Sequence, residues 1–362
     1  MAKHVDEKLS FDFRIPHRNW KIALSESFTL ISMASPGDVI CITGPSRVGK
    51  SRLVEELENM LNVGNDFEKT GILPVVRVRA VNQGNNGSFS TKAFAQHMLN
   101  ESKHPIYGTF ESKAEPKKRK LSFEHTSEAM FMAAFAEAIV YRRIRFLFID
   151  EAQHVVYVSK DAIAPVAVMD SWKSFAEENN LVLIIVGAYP VLPITSKSTH
   201  MVGRIQRVHF PRYFETESDL DEFRDIVLAY QGIMNLQGNI GGLDDHLEML
   251  YKGSLGCIGL LRKWLKTASL YAAAVDEGIS MSTLHRAAPS ASDYDVVQKE
   301  IIEGEHFLRG IFNSTVNEKS TSKAGAIKSE RPKKKSNPKP FQRKPKRIQS
   351  NNRGALGGSG DQ

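Results

Sequence analysis

The chain has 362 residues, 41% of them apolar, with two cysteines and a net charge of +7. That length holds one large or two modest domains with a real core. Cys41 and Cys257 both lie in apolar surroundings, which excludes a disulfide scaffold and points to reduced thiols in an intracellular compartment. No apolar run reaches the length of a membrane span, and the polar start lacks a signal-peptide core, so a soluble cytoplasmic protein with no membrane partner is expected.

In chain order, residues 22–33 read as a helix leading into the short β-branched strand 38–43. Next come Gly44, Pro45, Ser46, Arg47, Val48, Gly49, Lys50 and Ser51, which fit the phosphate-binding pattern G-x-x-x-x-G-K-[ST]. The following segment, 51–61, has apolar residues at 53, 54, 57, 60 and 61, the spacing of an amphipathic helix. Strand, glycine loop and helix are the context that this motif needs. Loop amides and a helix N-terminus point at phosphate, Lys50 reaches the β- and γ-phosphates, and the Ser51 hydroxyl ligates magnesium. ATP and Mg2+ are therefore the expected cofactors.

A second strand is expected over 73–80, a Gly/Asn/Ser-rich loop over 82–90 and a helix over 91–100. Residues 104–120 read as an exposed loop holding the basic cluster Lys117, Lys118, Arg119 and Lys120, and 128–141 as a helix. The apolar run 145–149 ends in Asp150 and Glu151. A carboxylate at such a strand end holds magnesium through water, which places Asp150 in the cofactor and metal set. Glu151 is positioned to polarise the attacking water as a general base. His154 follows; it reads either as a catalytic base or as a hydrogen-bonded structural residue, and without Cys/His partners at metal spacing it does not suggest zinc.

A helix over 167–178, a strand over 181–186 and a strand over 206–210 complete an alternating pattern, which implies an α/β fold with a parallel sheet between helices. Beyond about residue 215 only helical periodicity remains, over 220–230, 243–251, 258–274 and 294–308. The expected divisions are a lead-in at 1–36, a nucleotide-binding domain at 37–214, a small helical lid domain at 215–312 and a disordered basic tail at 313–362. Residues 318–362 carry 13 Lys/Arg against 3 acids, so they hold +10 and residues 1–317 hold −3. Such a tail binds nucleic acid through counterion release, recruits a protein or keeps the chain in solution.

The layout resembles that of the AAA+ P-loop NTPases. More narrowly, residues 14–275 resemble the TnsC/TniB-type ATPases, regulators of heteromeric transposons including CRISPR-associated ones. The resemblance rests on several segments besides the phosphate loop: 14–17, 74–80, Ile149-Asp-Glu-Ala-Gln-His154, 185–189, Gly203-Arg-Ile-Gln-Arg207, Phe210-Pro-Arg-Tyr213 and Gly253-Ser-Leu-Gly-Cys-Ile-Gly259. It implies a homo-oligomer, ring or helical filament, that assembles with ATP on duplex DNA. It also implies links to transposase subunits and to a target-selection protein such as a CRISPR effector complex adaptor, in the bacterial cytoplasm. Hydrolysis would then drive disassembly. Arg204 stands where such proteins place the arginine that enters a neighbour's ATP site, with Arg207 as the alternative. Arg79 and Lys92, with residues 117–120, are the duplex-DNA candidates. Two positions depart from the pattern: Tyr189 ends a segment that usually carries a short polar side chain, and Gly259 falls where a sensing arginine is usual, with Arg262 one turn later. These departures suit a slow switch. Two rival readings are an AAA+ DNA loader or remodeller without a transposition role, and a signalling NTPase that binds only proteins.

Overall fold

In this computed structural model the described residues are 15–83, 87–107, 125–161, 163–198, 203–237 and 240–317. Lys117, Lys118, Arg119 and Lys120, and the basic tail from 318 onward, lie outside them. Five apolar runs form parallel strands: β1 (Val39–Thr43), β2 (Val75–Arg79), β3 (Phe146–Asp150), β4 (Val182–Gly187) and β5 (Ile205–His209). They make one sheet in the order β2-β3-β4-β1-β5. Every residue of β1, β3 and β4 is buried, as a parallel sheet covered on both faces requires.

Alternation along each strand sorts its side chains into two cores. Val39, Cys41, Leu147, Ile149, Leu183 and Ile185 pack with α4 (Thr91–Glu101), α5 (Glu128–Arg142) and α6 (Ala164–Glu178). Ile40, Ile42, Phe146, Phe148, Ile184 and Val186 pack on the other face with α1 (Arg18–Met33) and α2 (Lys50–Leu61). A single turn, α3 (Phe67–Thr70), precedes β2, and α7 (Val191–Lys197) follows β4. Thr43 is registered with Gly187 and His209, and Arg79 with Asp150. The strands therefore end together, and the loops that leave them share one edge of the sheet.

After β5 the chain is helical: α8 (Glu217–Gln231), a 3-10 turn (Leu243–His246), α9 (Leu247–Ser254), α10 (Ile258–Ala273), α11 (Met281–Ala287) and α12 (Ala291–Asn317). This part has its own core, built on Phe223, Val227, Leu250, Leu261, Trp264 and Leu265. Gly253 lies beneath Trp264, where an added Cβ would fall 2.3 Å from the indole.

Several elements differ from the sequence expectation. The first helix starts at Arg18, not at 22, because His17 Nδ1 accepts the Trp20 N–H and caps it. Segment 243–251 is two elements, since its first turn is 3-10. Strand β3 includes Asp150 itself, and β5 is shifted one residue toward the N-terminus. The helix expected over 294–308 runs from Ala291 to Asn317. The 3-10 segment Ala152–Val158, α7 and α11 have seven residues each, too few to show a helical period. Both cysteines are free and buried, and burial pushes each thiol up to about 12. Among the described residues no helix is long and apolar enough to cross a membrane.

Candidate nucleotide-binding site

The loop after β1 is held by contacts that only its own residue types allow. A Cβ on Gly44 would sit 2.2 Å from the Phe210 carbonyl oxygen, and Gly49 has φ +122°. Val48 is buried and pins the loop to the core. Gly49 caps α2 without a side chain, so no side-chain cap competes with an anion at that helix N-terminus. Lys50 is buried, and its Nζ donates to the carbonyls of Gly44 (2.9 Å) and Pro45 (2.8 Å). Burial lowers its pKa, while the nearby carboxylates of Glu300, Glu151 and Asp150 act against that shift.

The acidic pair stands on the neighbouring strand end. Asp150 is buried; its Oδ2 accepts from Arg77 at 2.6 Å and its Oδ1 from the Glu151 N–H at 2.9 Å. Glu151 has a left-handed backbone (φ +57°), which turns its side chain away from the strand direction. One carboxylate oxygen accepts from Gln153 Nε2 at 2.5 Å, and the other lies 3.6 Å from Arg79. Gln153 Oε1 in turn accepts the Ala188 N–H at 3.0 Å, at the end of β4. Since an amide N–H can only donate, this bond settles which end of the Gln153 amide faces Glu151. Gly187 leaves room for it: a Cβ there would lie 2.8 Å from Gln153 Oε1. Sequence reasoning missed Gln153. It stands in the 3-10 segment after β3, and its bond to Ala188 ties that segment to the end of β4.

The phosphate loop and Glu151 face a cavity of about 670 Å3. Its lining includes seven cationic side chains, Arg47, Lys50, Arg52, Arg79, Arg262, Lys263 and Lys266, against the single carboxylate of Glu151. Ser51 also faces it. That balance favours a polyanion. A second cavity of about 270 Å3 shares Gly49, Arg52, Gly259 and Arg262 with the first. It is walled by Ile15, Pro16, His17, Trp20, Tyr230 and Ile258, an apolar and aromatic set suited to a flat ring. Trp20 Nε1 is buried beside it without a hydrogen-bond partner. His17 is neutral, its pKa lowered to about 4 by burial, with Arg18 and Lys21 adding to the shift. This agrees with Nδ1 accepting from the Trp20 N–H and facing the Tyr213 hydroxyl at 3.0 Å. None of these wall residues was a sequence candidate, because they come from the N-terminal segment and from α8 and α10.

The residues present fit a nucleoside triphosphate with magnesium. The glycine cradle would be filled by any Cβ, the cations match phosphate, and the Ser51 hydroxyl and Asp150 carboxylate are hard oxygen donors.

Residues 34–194 match a family model described as AAA domain. The fold is the α/β P-loop fold of the AAA+ proteins. The chain is similar to the ORC2 protein of Aeropyrum pernix, solved as ADPNP–ADP complexes, with 15% identity, a TM-score of 0.51 and coverage of 77% of this chain and 70% of that one. It is also similar to Cdc6p from Pyrobaculum aerophilum (16% identity, TM-score 0.48, 78% and 70% covered). A third likeness is to the Walker-type ATPase PABY2304 of Pyrococcus abyssi (14%, 0.45, 86% and 80%). No curated protein matches the chain.

Within this AAA+ fold the other sequence candidates fall in different places. Gly259 touches the loop so closely that a Cβ would lie 2.1 Å from the Arg47 carbonyl oxygen, so no arginine fits there. Arg262, one turn on, lines both cavities. Tyr189 is buried with its hydroxyl 2.9 Å from His209 Nε2, and so serves packing. His154 Nδ1 is buried without a hydrogen-bond partner. Arg79, a duplex-DNA candidate, lines the phosphate cavity, whereas Lys92 lies at the start of α4, outside that lining. Arg204 precedes β5 at the opposite edge of the sheet, half-exposed and paired with Glu177. Arg207 is partly buried, with Nη2 3.3 Å from the Ser196 hydroxyl.

Proposed function

We propose that the chain is an ATPase switch that binds ATP with magnesium, assembles with further copies on duplex DNA, and links target selection to transposase recruitment. The observation that carries the chemical part is the convergence of Lys50, Ser51 and Glu151 on one cation-lined cavity joined to an apolar one. The amides from Gly44 to Ser51 cradle the phosphates. Lys50 exchanges two neutral carbonyl partners for charged oxygens, which bind an ammonium more strongly. Ser51 and, through water, Asp150 hold magnesium, which neutralises phosphate charge when bound. Glu151 takes the proton from water as its oxygen bonds to the γ-phosphorus and the bond to the bridging oxygen breaks, leaving ADP and phosphate. Gln153 keeps one Glu151 oxygen fixed, so the other is the one offered to water. Arg204, exposed on the far edge, is the cation offered to a neighbouring copy's site.

The assembly on DNA, the transposase subunits and the target-selection partner rest on the TnsC/TniB resemblance. The experiment is electron microscopy of the chain with duplex DNA, with and without ATP, together with ATP turnover of Lys50→Ala and Glu151→Gln. Rings or filaments requiring both DNA and ATP are expected. Lys50→Ala should lose nucleotide binding. Glu151→Gln should bind ATP, lose about a hundredfold or more in turnover, and stay on DNA. Oligomers that form with ATP but ignore DNA would favour the protein-binding NTPase. Wild-type turnover in Glu151→Gln would remove that residue from the chemistry.

A further inference from the structure

Glu300 stands on α12, 254 positions after Ser46, yet its Oε1 accepts the Ser46 N–H at 3.0 Å. A carboxylate from a distant helix therefore engages an amide of the phosphate loop. The contact belongs to a seated helix face. Glu300, Ile301, Gly304, Glu305 and Leu308 recur at helical spacing on one side of α12. Arg212 grips Glu305 through Nε (2.7 Å) and Nη2 (3.2 Å). Gly304 lies flat on Tyr189, where a Cβ would fall 2.1 Å from the ring, and Leu308 joins Tyr189 and Leu192 in a small core. Ile301 is buried as well.

A carboxylate and a phosphate present the same kind of acceptor to an N–H, and a charged acceptor makes the stronger bond. Both cannot occupy the Ser46 amide together, and beside a polyphosphate the Glu300 charge is repelled. We infer that α12 is a built-in competitor for the phosphate loop: Glu300 holds the Ser46 amide in the nucleotide-free chain, and triphosphate binding expels it and loosens α12. The inference rests on the nucleotide reading of the loop. It supplies what an ATP switch needs, an element outside the site whose seating depends on occupancy. Its energetic consequence is a lowered apparent affinity, because only the fraction of molecules with the loop free is ready to bind.

The test is titration of the full chain with a fluorescent ATP analogue, beside Glu300→Gln, Lys50→Ala and, as a control on the same helix away from the loop, Glu303→Gln. Glu300→Gln should bind about three- to tenfold more tightly than wild type, and Glu303→Gln should bind as wild type does. In the wild-type chain, saturating analogue should reduce amide-exchange protection in α12 around residue 300. Equal or weaker binding by Glu300→Gln overturns the inference, as does unchanged exchange in α12. If Lys50→Ala loses binding while Glu300→Gln matches wild type, this inference fails alone. If the wild-type chain binds no analogue, the nucleotide reading fails and takes this one with it.

Discussion

Two arginine–carboxylate clusters sit at opposite edges of the same sheet and do different work. At the edge where the strands begin, Glu177 pairs with Lys173 and Arg204, and the Arg204 and Glu177 side chains are 50% and 42% exposed. These partners draw the Glu177 carboxyl below its ordinary range, but solvent screens a pair so exposed. At the edge where the strands end, Asp150 is only 4% exposed in its side chain and pairs with Arg77, while Glu151 is shared between Gln153 and Arg79. The residue types are nearly the same. Burial and the loop beside it set the second cluster apart: in the proposed reading it serves the chemistry within its own chain, whereas the exposed Arg204 is offered to a neighbouring copy.

The largest stability difference should come from breaking each cluster. Arg77→Ala leaves a buried carboxylate without its cation and should cost about 3 kcal/mol, read as a lower urea midpoint. An unchanged midpoint would mean that the contrast between the edges is weaker than the geometry states. Gln153→Ala sharpens the comparison on the chemical side. It should slow turnover up to roughly a hundredfold with little change in nucleotide affinity, because Glu151 loses its orientation. The smallest effect is expected for Arg204→Ala, with no resolvable shift of the urea midpoint. If its turnover falls only at protein concentrations that support assembly, Arg204 works in a neighbour's site; if turnover never changes, it is surface.

The helical part after β5 makes a similar point about legibility. Its periodicity was readable over most of α8 and α10, because each is long enough to show an apolar stripe. What those helices do at the site was not readable. Tyr230 and Ile258 line the second cavity only because the N-terminal segment 15–17 lies opposite them. Gly259 looked like a missing arginine in the chain and is, in space, the contact that lets α10 touch the loop.

The sequence by itself determined the phosphate loop, the acidic strand end and the alternation of strands and helices. Each depends on a contiguous run whose backbone conformation and apolar spacing are set by neighbouring residues. Only the tertiary structure decided the pairing of Arg77 with Asp150, the bridge from Glu151 through Gln153 to Ala188, and the seating of Glu300 on Ser46. Those contacts depend on strand order and register and on how α12 lies across the fold. These are properties of packing between distant segments, which no local pattern encodes.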